Sequence, residues 1–279
     1  MKSNLCFSVL MSVYYKDSPI FFDLALRSVT VNQTLKPNQV VIVEDGSVPA
    51  QIEDVISSVK GEVPDMEFTV LRRAQNKGLA VSLNEGLREC KYDWVARMDS
   101  DDISAAERFE KEFEFIRDNN YKVDIVGSYI DEFSEKIGDI SSVRTVGTTQ
   151  EEIKRMSKKR TPFNHMSVIF NKNTVEKAGC YSENFGKLED YKLWVDMLTM
   201  GAQAANLPEI LVHVRVGNGF IERRSNKREI QDWDMLQQYL LKGGIVNKRE
   251  ALMNKLYIRV FIYTPSFIKK FLYKYILRK

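Results

Sequence analysis

Cysteine is scarce in this chain, with three in 279 residues. Cys6, Cys90 and Cys180 are odd in number, far apart and without a C-x-x-C pair. That excludes a disulfide framework and a thiolate zinc site, and it fits a reducing cytoplasm. Cys6 and Cys90 lie in apolar-patterned segments and are expected to be small core residues. Long apolar runs are missing too, since none reaches the roughly 18 residues needed to cross a bilayer. The run from Leu5 to Tyr15 has no small-residue cleavage site and meets Lys16-Asp17, so it is expected to be a buried first strand rather than a leader. Residues 7–18 hold no glycine, which excludes a Gly-rich phosphate loop at the end of that strand. Internal repeats and low-complexity tracts are also lacking.

What is present suits a soluble globular protein, with 44% hydrophobic and 28% charged residues. The length allows one large domain or two small ones. The net charge of +3 is unevenly spread. From Lys242 to Lys279 there are ten Lys/Arg against the single Glu250, a net of +9, and the rest of the chain carries −6 (31 bases, 37 acids). A mildly acidic body with a basic tail points to an anionic partner, a membrane surface or nucleic acid.

The first hundred residues alternate strand and helix. Phe7–Val13, Val40–Val43, Phe68–Leu71 and a strand opening at Trp94 read as apolar strands. Between them, helices are expected from Ser18-Pro19 to about Gln33, from Gln51 to Val59, and from Gly78 through Leu87. That rhythm implies crossover connections and a mainly parallel sheet, buried on both faces. Further on, Ala105–Arg117 reads as a helix and Val123–Phe133 as one or two strands. Residues 141–160 have no clear pattern. Met166–Phe170 reads as a strand, Tyr191–Met200 as a helix capped by Gly201, and Ile210–Val216 as a strand. A helix is expected from about Arg228 to Leu241.

The segment Arg97-Met98-Asp99-Ser100-Asp101-Asp102 places three carboxylates within four residues at a strand's C-terminal end, where open α/β sheets place their ligands. Anions that close repel one another unless a cation or solvent offsets them. Hard divalent ions favour such oxygen ligands and bridge to phosphates. The same residues would also serve as an acidic cap on the next helix. Asp45 follows the second strand, and Glu189-Asp190 precedes a later helix.

Five motifs occur in the order seen in family 2 glycosyltransferases. They are Ser8–Tyr14, Val43-Glu44-Asp45-Gly46-Ser47, Asn76–Ala80 with Asn84–Leu87, Met98–Asp102, and Glu189-Asp190-Tyr191-Lys192-Leu193-Trp194. The chain resembles that family over roughly residues 7–216. The resemblance implies a GT-A fold, an α/β architecture with a Rossmann-like, mainly parallel central sheet flanked by helices. It also implies inverting transfer from a UDP-sugar with Mn²⁺ or Mg²⁺. A catalytic domain is expected over 1–217, its nucleotide-binding half at 1–102 and its acceptor half at 103–217, with a helical extension at 218–279.

Carried over motif by motif, the resemblance implies that Ser12 and Tyr14 contact the nucleotide and that Asp45 bonds the uracil or ribose. Arg73 and Lys77 are candidates for the base or diphosphate, and Ser100 belongs to the nucleotide site. Asp101 is the expected metal ligand, with Asp99 nearer the ribose and Asp102 in support. Asp190 matches the catalytic base. Glu189 is expected to orient the base or the donor sugar, and His165 has a candidate acceptor or donor role. Trp194 is read as core or as a sugar platform. Arg223 or Arg224 is a candidate to close over the phosphates. Many relatives carry a metal-ligating histidine where this chain has Gly217. His213 lies four residues earlier, about 13 Å along a strand, and is not expected to replace it.

Past Pro265, Phe267, Ile268, Phe271, Leu272, Tyr275 and Ile276 recur at helical spacing, with Lys269, Lys270, Lys274 and Arg278 largely off that stripe. The pattern suits a helix on anionic lipid or one packed on the domain. The similar bacterial enzymes build O-antigen or capsule on a polyprenyl-diphosphate-linked saccharide. A lipid-linked acceptor is therefore expected, at the inner face of the membrane, with no nucleic acid as substrate. Spanning segments and a Gln-x-x-Arg-Trp motif are absent, which argues against a processive synthase. The alternatives are a nucleotidyltransferase of related sheet, or a catalytically silent sugar-nucleotide or membrane-binding module.

Overall fold

The computed structural model describes residues 5–217, 227–264 and 268. Four strands, β1 (Phe7–Val13), β2 (Gln39–Glu44), β3 (Glu67–Arg72) and β4 (Trp94–Met98), alternate with helices α1 (Pro19–Ser28), α2 (Ala50–Glu62) and α3 (Leu79–Glu89). β1 pairs in parallel with both β2 and β4, and β2 with β3. The chain continues through β5 (Ile103–Ser104), α4 (Arg108–Asp118), β6 (Ile125–Phe133), β7 (Val143–Arg144), α5 (Gln150–Met156), β8 (Ile169–Asn171), α6 (Lys172–Lys177), α7 (Glu189–Thr199) and β9 (Ala204–Arg215). Two helices follow, α8 (Lys227–Lys242) and α9 (Lys248–Tyr263). The sheet order is β3-β2-β1-β4-β8-β6-β9-β5, with β7 against β6. β1–β4, β6 and β9 run one way, and β5, β7 and β8 run against them.

The alternating side chains of the buried strands feed two apolar layers. Val9 and Met11 face a layer built with Phe7, Phe22, Phe109 and Phe113, while Leu10 faces one built with Leu83, Phe163, Phe170 and Trp194. Gly86 sets the approach of α3, since a Cβ there would lie 2.4 Å from Leu10 Cδ1 and 2.8 Å from Val43 Cγ2. A third cluster joins Phe185, Tyr191 and Val195 to Leu236, Leu240, Val246 and Ala251, so α8 and the start of α9 pack against α7. Beneath the end of β4, the buried Arg108 pairs with Glu112 and donates to the carbonyls of Arg97 (3.1 Å) and Val168 (3.4 Å).

Several boundaries differ from expectation for local reasons. α1 ends at Ser28, not Gln33. Beyond it, Ser28 and Thr30 hydroxyls bond the carbonyls of Ala25 and Leu26, and Gln33 bonds Ser28 O, competing with further turns. Within the unassigned stretch, Thr149 and Glu152 form a capping box that starts α5. Met166 and Ser167 belong to a 3-10 turn (His165–Ser167), so the expected strand shortens to Ile169–Asn171. Ser167 there donates its N–H to Asn164 O (2.9 Å). β9 starts at Ala204 rather than Ile210 and slips register with β6 around Tyr129. Pro208, which has no N–H to give the ladder, lies in that stretch. Cys90 is buried, but Cys6 is only partly so.

Candidate active site

Parallel pairing brings the ends of β1, β2 and β4 to one edge, with Val13 beside Glu44 and Met11 beside Met98. The segments that leave this edge carry Tyr14 and Asp17, Asp45, and the Asp99–Asp102 run.

Asp45 is buried and fully engaged by its neighbours. Its Oδ1 accepts from Lys77 N (2.8 Å) and Arg73 Nη1 (3.1 Å), and its Oδ2 accepts from Gly78 N (2.9 Å). Gly46 adopts φ +87° and its missing Cβ would meet Asn76 N at 2.8 Å, so the two loops close tightly here. Arg73 also touches Ser82 (3.1 Å) and Glu85 (3.3 Å). The Lys77 side chain is exposed, Tyr14 is exposed, and Ser12 is half-buried.

The acidic run folds back onto β9. Asp102 is buried and accepts from Arg215 N (2.8 Å), while Arg215 Nε donates to Asp101 O (3.1 Å). Ser100 Oγ donates to Asp17 Oδ2 (2.8 Å), which also accepts from Tyr14 N (3.0 Å). Burial, with a smaller push from Asp99, raises the Asp17 carboxyl to about 6. The Asp101 side chain reaches solvent, yet desolvation and then the charges of Asp99 and Asp17 raise it to about 6 as well. Among the described residues no three His, Cys, Asp or Glu side chains form a closed cage for a metal ion. The fit to a divalent cation is that of an open, all-oxygen site. Asp99 and Asp101 offer hard ligands under mutual repulsion, and phosphate oxygens and water would complete the shell. His213 Nδ1 lies 2.6 Å from Asp131 Oδ1, turned to its own sheet neighbour.

Arg97 is the pivot of the site. This buried guanidinium pairs with Asp99, and its charge also acts on His165, Tyr181 and Glu189. Its Nε and Nη1, and Oε2 of the buried Glu189, have no hydrogen-bond partner among the described residues. Such orphaned polar atoms are costly unless a ligand satisfies them. Asp190 opens α7, and its Oδ1 accepts from Tyr191 N (2.6 Å). His165 Nε2 lies 3.0 Å from Tyr181 Oη. Burial and the Arg97 charge hold the imidazole well below its ordinary pKa, so it is neutral. Asn84 fixes Tyr181 from both sides, donating to its carbonyl (2.8 Å) and accepting from its N–H (2.9 Å).

Burial first, then the Asp190 charge, raises Glu189 from 4.5 to about 8. At neutral pH it is therefore protonated. The unfolded chain loses this proton near 4.5 and the folded chain near 8, so between those values the folded state holds more protons and stability falls as pH rises. Glu189→Gln removes that dependence. Denaturant unfolding from about pH 5 to 8 is expected to show the wild type losing stability relative to the variant; a constant difference would refute the raised value.

The structure thus gathers Asp99, Glu189 and His165 around Arg97, with Asp190 next to Glu189 and Asp17, Ser100, Asp101 and Asp102 alongside. Asp45, Arg73 and Lys77 occupy the neighbouring loops. Trp194 is not a platform: it is fully buried among Phe163, His165, Phe170 and Tyr181, and this decides its role for the core. Arg223 and Arg224 lie outside the described residues. Sequence reading missed Arg97, Asp17 and Tyr181. Arg97 had a signal as the one charged side chain in an apolar strand, and Asp17 follows β1 much as Asp45 follows β2.

A curled, mostly parallel sheet with acids at its C-terminal edge and a carboxylate opening a helix across from them is the GT-A glycosyltransferase architecture. Residues 8–178 match the family model described as "Glycosyl transferase family 2". The chain belongs to that family. It is 40% identical, over 83% of its length and 84% of the relative's, to an uncharacterized glycosyltransferase of Haemophilus influenzae. It is 33% identical, over 98% of its length and 97% of the relative's, to an Escherichia coli UDP-Gal:alpha-D-GlcNAc-diphosphoundecaprenol beta-1,3-galactosyltransferase. Among solved structures, TarS 1-349 of S. aureus in complex with UDP-GlcNAc superposes with a TM-score of 0.67 at 15% identity, covering 94% of this chain and 74% of that one.

Proposed function

We propose that this glycosyltransferase is an inverting, metal-dependent enzyme. In this reading it moves a hexose from a UDP-sugar to a saccharide carried on polyprenyl diphosphate, in O-antigen or capsule assembly. The observation that carries the reading is the approach of Asp99 and Asp101 from one side of the chain, and of Glu189 next to Asp190 from another, to the buried Arg97. The activity named for the Escherichia coli relative supports both donor and acceptor class.

Asp101, with Asp99, would hold Mn²⁺ or Mg²⁺, which when bound supplies Lewis-acid stabilisation of charge on the diphosphate leaving group. Ser12, Tyr14, Asp45, Arg73, Lys77 and Ser100 surround the nucleotide, with Asp45 acting chiefly by pinning the 76–78 loop. Asp190 takes the proton of the acceptor hydroxyl as its oxygen bonds the anomeric carbon. The bond from that carbon to the phosphate oxygen breaks, and the electron pair leaves with UDP. Neutral Glu189 donates a hydrogen bond to the sugar or acceptor, and neutral His165, held by Tyr181, lines the same space. The basic C-terminal tail would keep the enzyme at the inner face of the membrane, where such an acceptor is found.

The test is UDP release with UDP-hexose, Mn²⁺ and a lipid-linked GlcNAc diphosphate. Release is expected to require all three. Release without acceptor, or turnover unaffected by chelation, would count against the reading.

A further inference from the structure

α9 has two apolar sides. Ala251, Ile258 and Ile262 face the body, as expected of a packed helix. Leu252, Met253, Leu256, Tyr257, Val260 and Tyr263 recur along another side, and each keeps between 53% and 67% of its surface exposed. From 252 to 263 this stripe runs about 17 Å along the helix. A contiguous exposed apolar face of that length marks an interaction surface.

The charges beside the stripe select its partner. Along one flank lie Lys248 and Lys255, with Arg259 beside them held to Asp234 of α8 (Nη2–Oδ2 2.6 Å). Along the other, Lys158 meets α9: Asn254 donates to Lys158 O (2.7 Å) and Lys158 Nζ lies 4.0 Å from Glu250. Glu250 is the one carboxylate of α9, and it is spent on the helix cap (Asn247 N, 2.8 Å) and on Lys158. An apolar ridge edged by Lys248 and Lys255 on one side and Lys158 on the other matches an anionic lipid surface, with side chains at the acyl boundary and cations at the phosphates. A second copy of the chain would bring the same cations against each other across a two-fold axis.

We infer that α9 is an interfacial helix whose exposed stripe, flanked by basic residues, docks the protein on anionic lipid. The choice of lipid also rests on the lipid-linked acceptor proposed above. The docking would be carried by α9 itself, not only by the residues after Pro265.

Flotation of the full chain with phosphatidylglycerol–phosphatidylcholine vesicles tests this, with phosphatidylcholine vesicles as the neutral arm. The wild type is expected to bind the anionic vesicles in a salt-sensitive manner and the neutral ones weakly. Leu256→Glu/Val260→Glu, at exposed positions, is expected to lower anionic-vesicle binding by at least about tenfold, and Lys248→Glu/Lys255→Glu by a similar factor. Undiminished binding by either variant, or equal binding to neutral vesicles, would overturn the inference. So would a lipid-free dimer of the wild type that Leu256→Glu/Val260→Glu dissociates in gel filtration. Vesicle binding needs no turnover. Loss of binding in the variants of a chain that releases no UDP would sink the proposed function and leave the docking surface standing.

Discussion

Asp190→Asn is expected to lower turnover by at least about 10²-fold, the usual contribution of a positioned general base, while fold and nucleotide affinity stay intact. The substitution isolates basicity. Asp190 Oδ1 accepts from Tyr191 N at 2.6 Å, and an Asn carbonyl oxygen can accept the same bond, so the start of α7 keeps its geometry. What Asn cannot do is take a proton from the acceptor hydroxyl. Single-turnover UDP release, with UDP binding measured by calorimetry, separates the two effects. A variant that turned over normally would remove Asp190 from the proposed mechanism.

Asp101→Asn is expected to lower activity by about 10²–10³-fold and abolish activation by Mn²⁺, the equivalent of several kcal/mol of charge stabilisation. The argument rests on crowding. Asp101, Asp99 and Asp17 share one edge of the sheet, and their mutual repulsion is the condition a divalent cation relieves. His213→Ala is expected to keep Mn²⁺ activation, because that imidazole is committed to Asp131 on the neighbouring strand. Titrating UDP release with Mn²⁺ distinguishes the two. If His213→Ala lost activation while Asp101→Asn kept it, the metal assignment would fall.

The strands were the most legible part of the fold. β1 spans Phe7–Val13 as read, and β2, β3 and β4 lie within a residue or two of expectation, because strands buried in the sheet carry apolar runs, shorter in the half-buried β3. Helix ends were less legible. Ser28, Thr30 and Gln33 stop α1 through side-chain bonds that periodicity does not register. The second half was weaker still, since β6, β8 and β9 pair across long separations and the bulge near Pro208 depends on its partner strand. At the site, most of the acids could be picked out by local motif, though Asp17 was not. Arg97 gave only the signal of a lone charge in an apolar strand, because its role also depends on Glu189 and His165, which lie far along the chain.

The sequence by itself determined the class of sheet and the family. Those properties follow from short-range pattern: apolar runs, turn residues and acids in a fixed local order. Only the tertiary structure decided what each residue does in place. It turned Asp45 inward onto the 76–78 loop, committed Trp194 to the core, and set Asp99 and Glu189 near one buried arginine. It also left the outer side of α9 bare between flanking lysines. The physical reason is common to all four. Burial, ion pairing and exposure are set by neighbours far away in the chain, and no local spacing encodes which neighbours those will be.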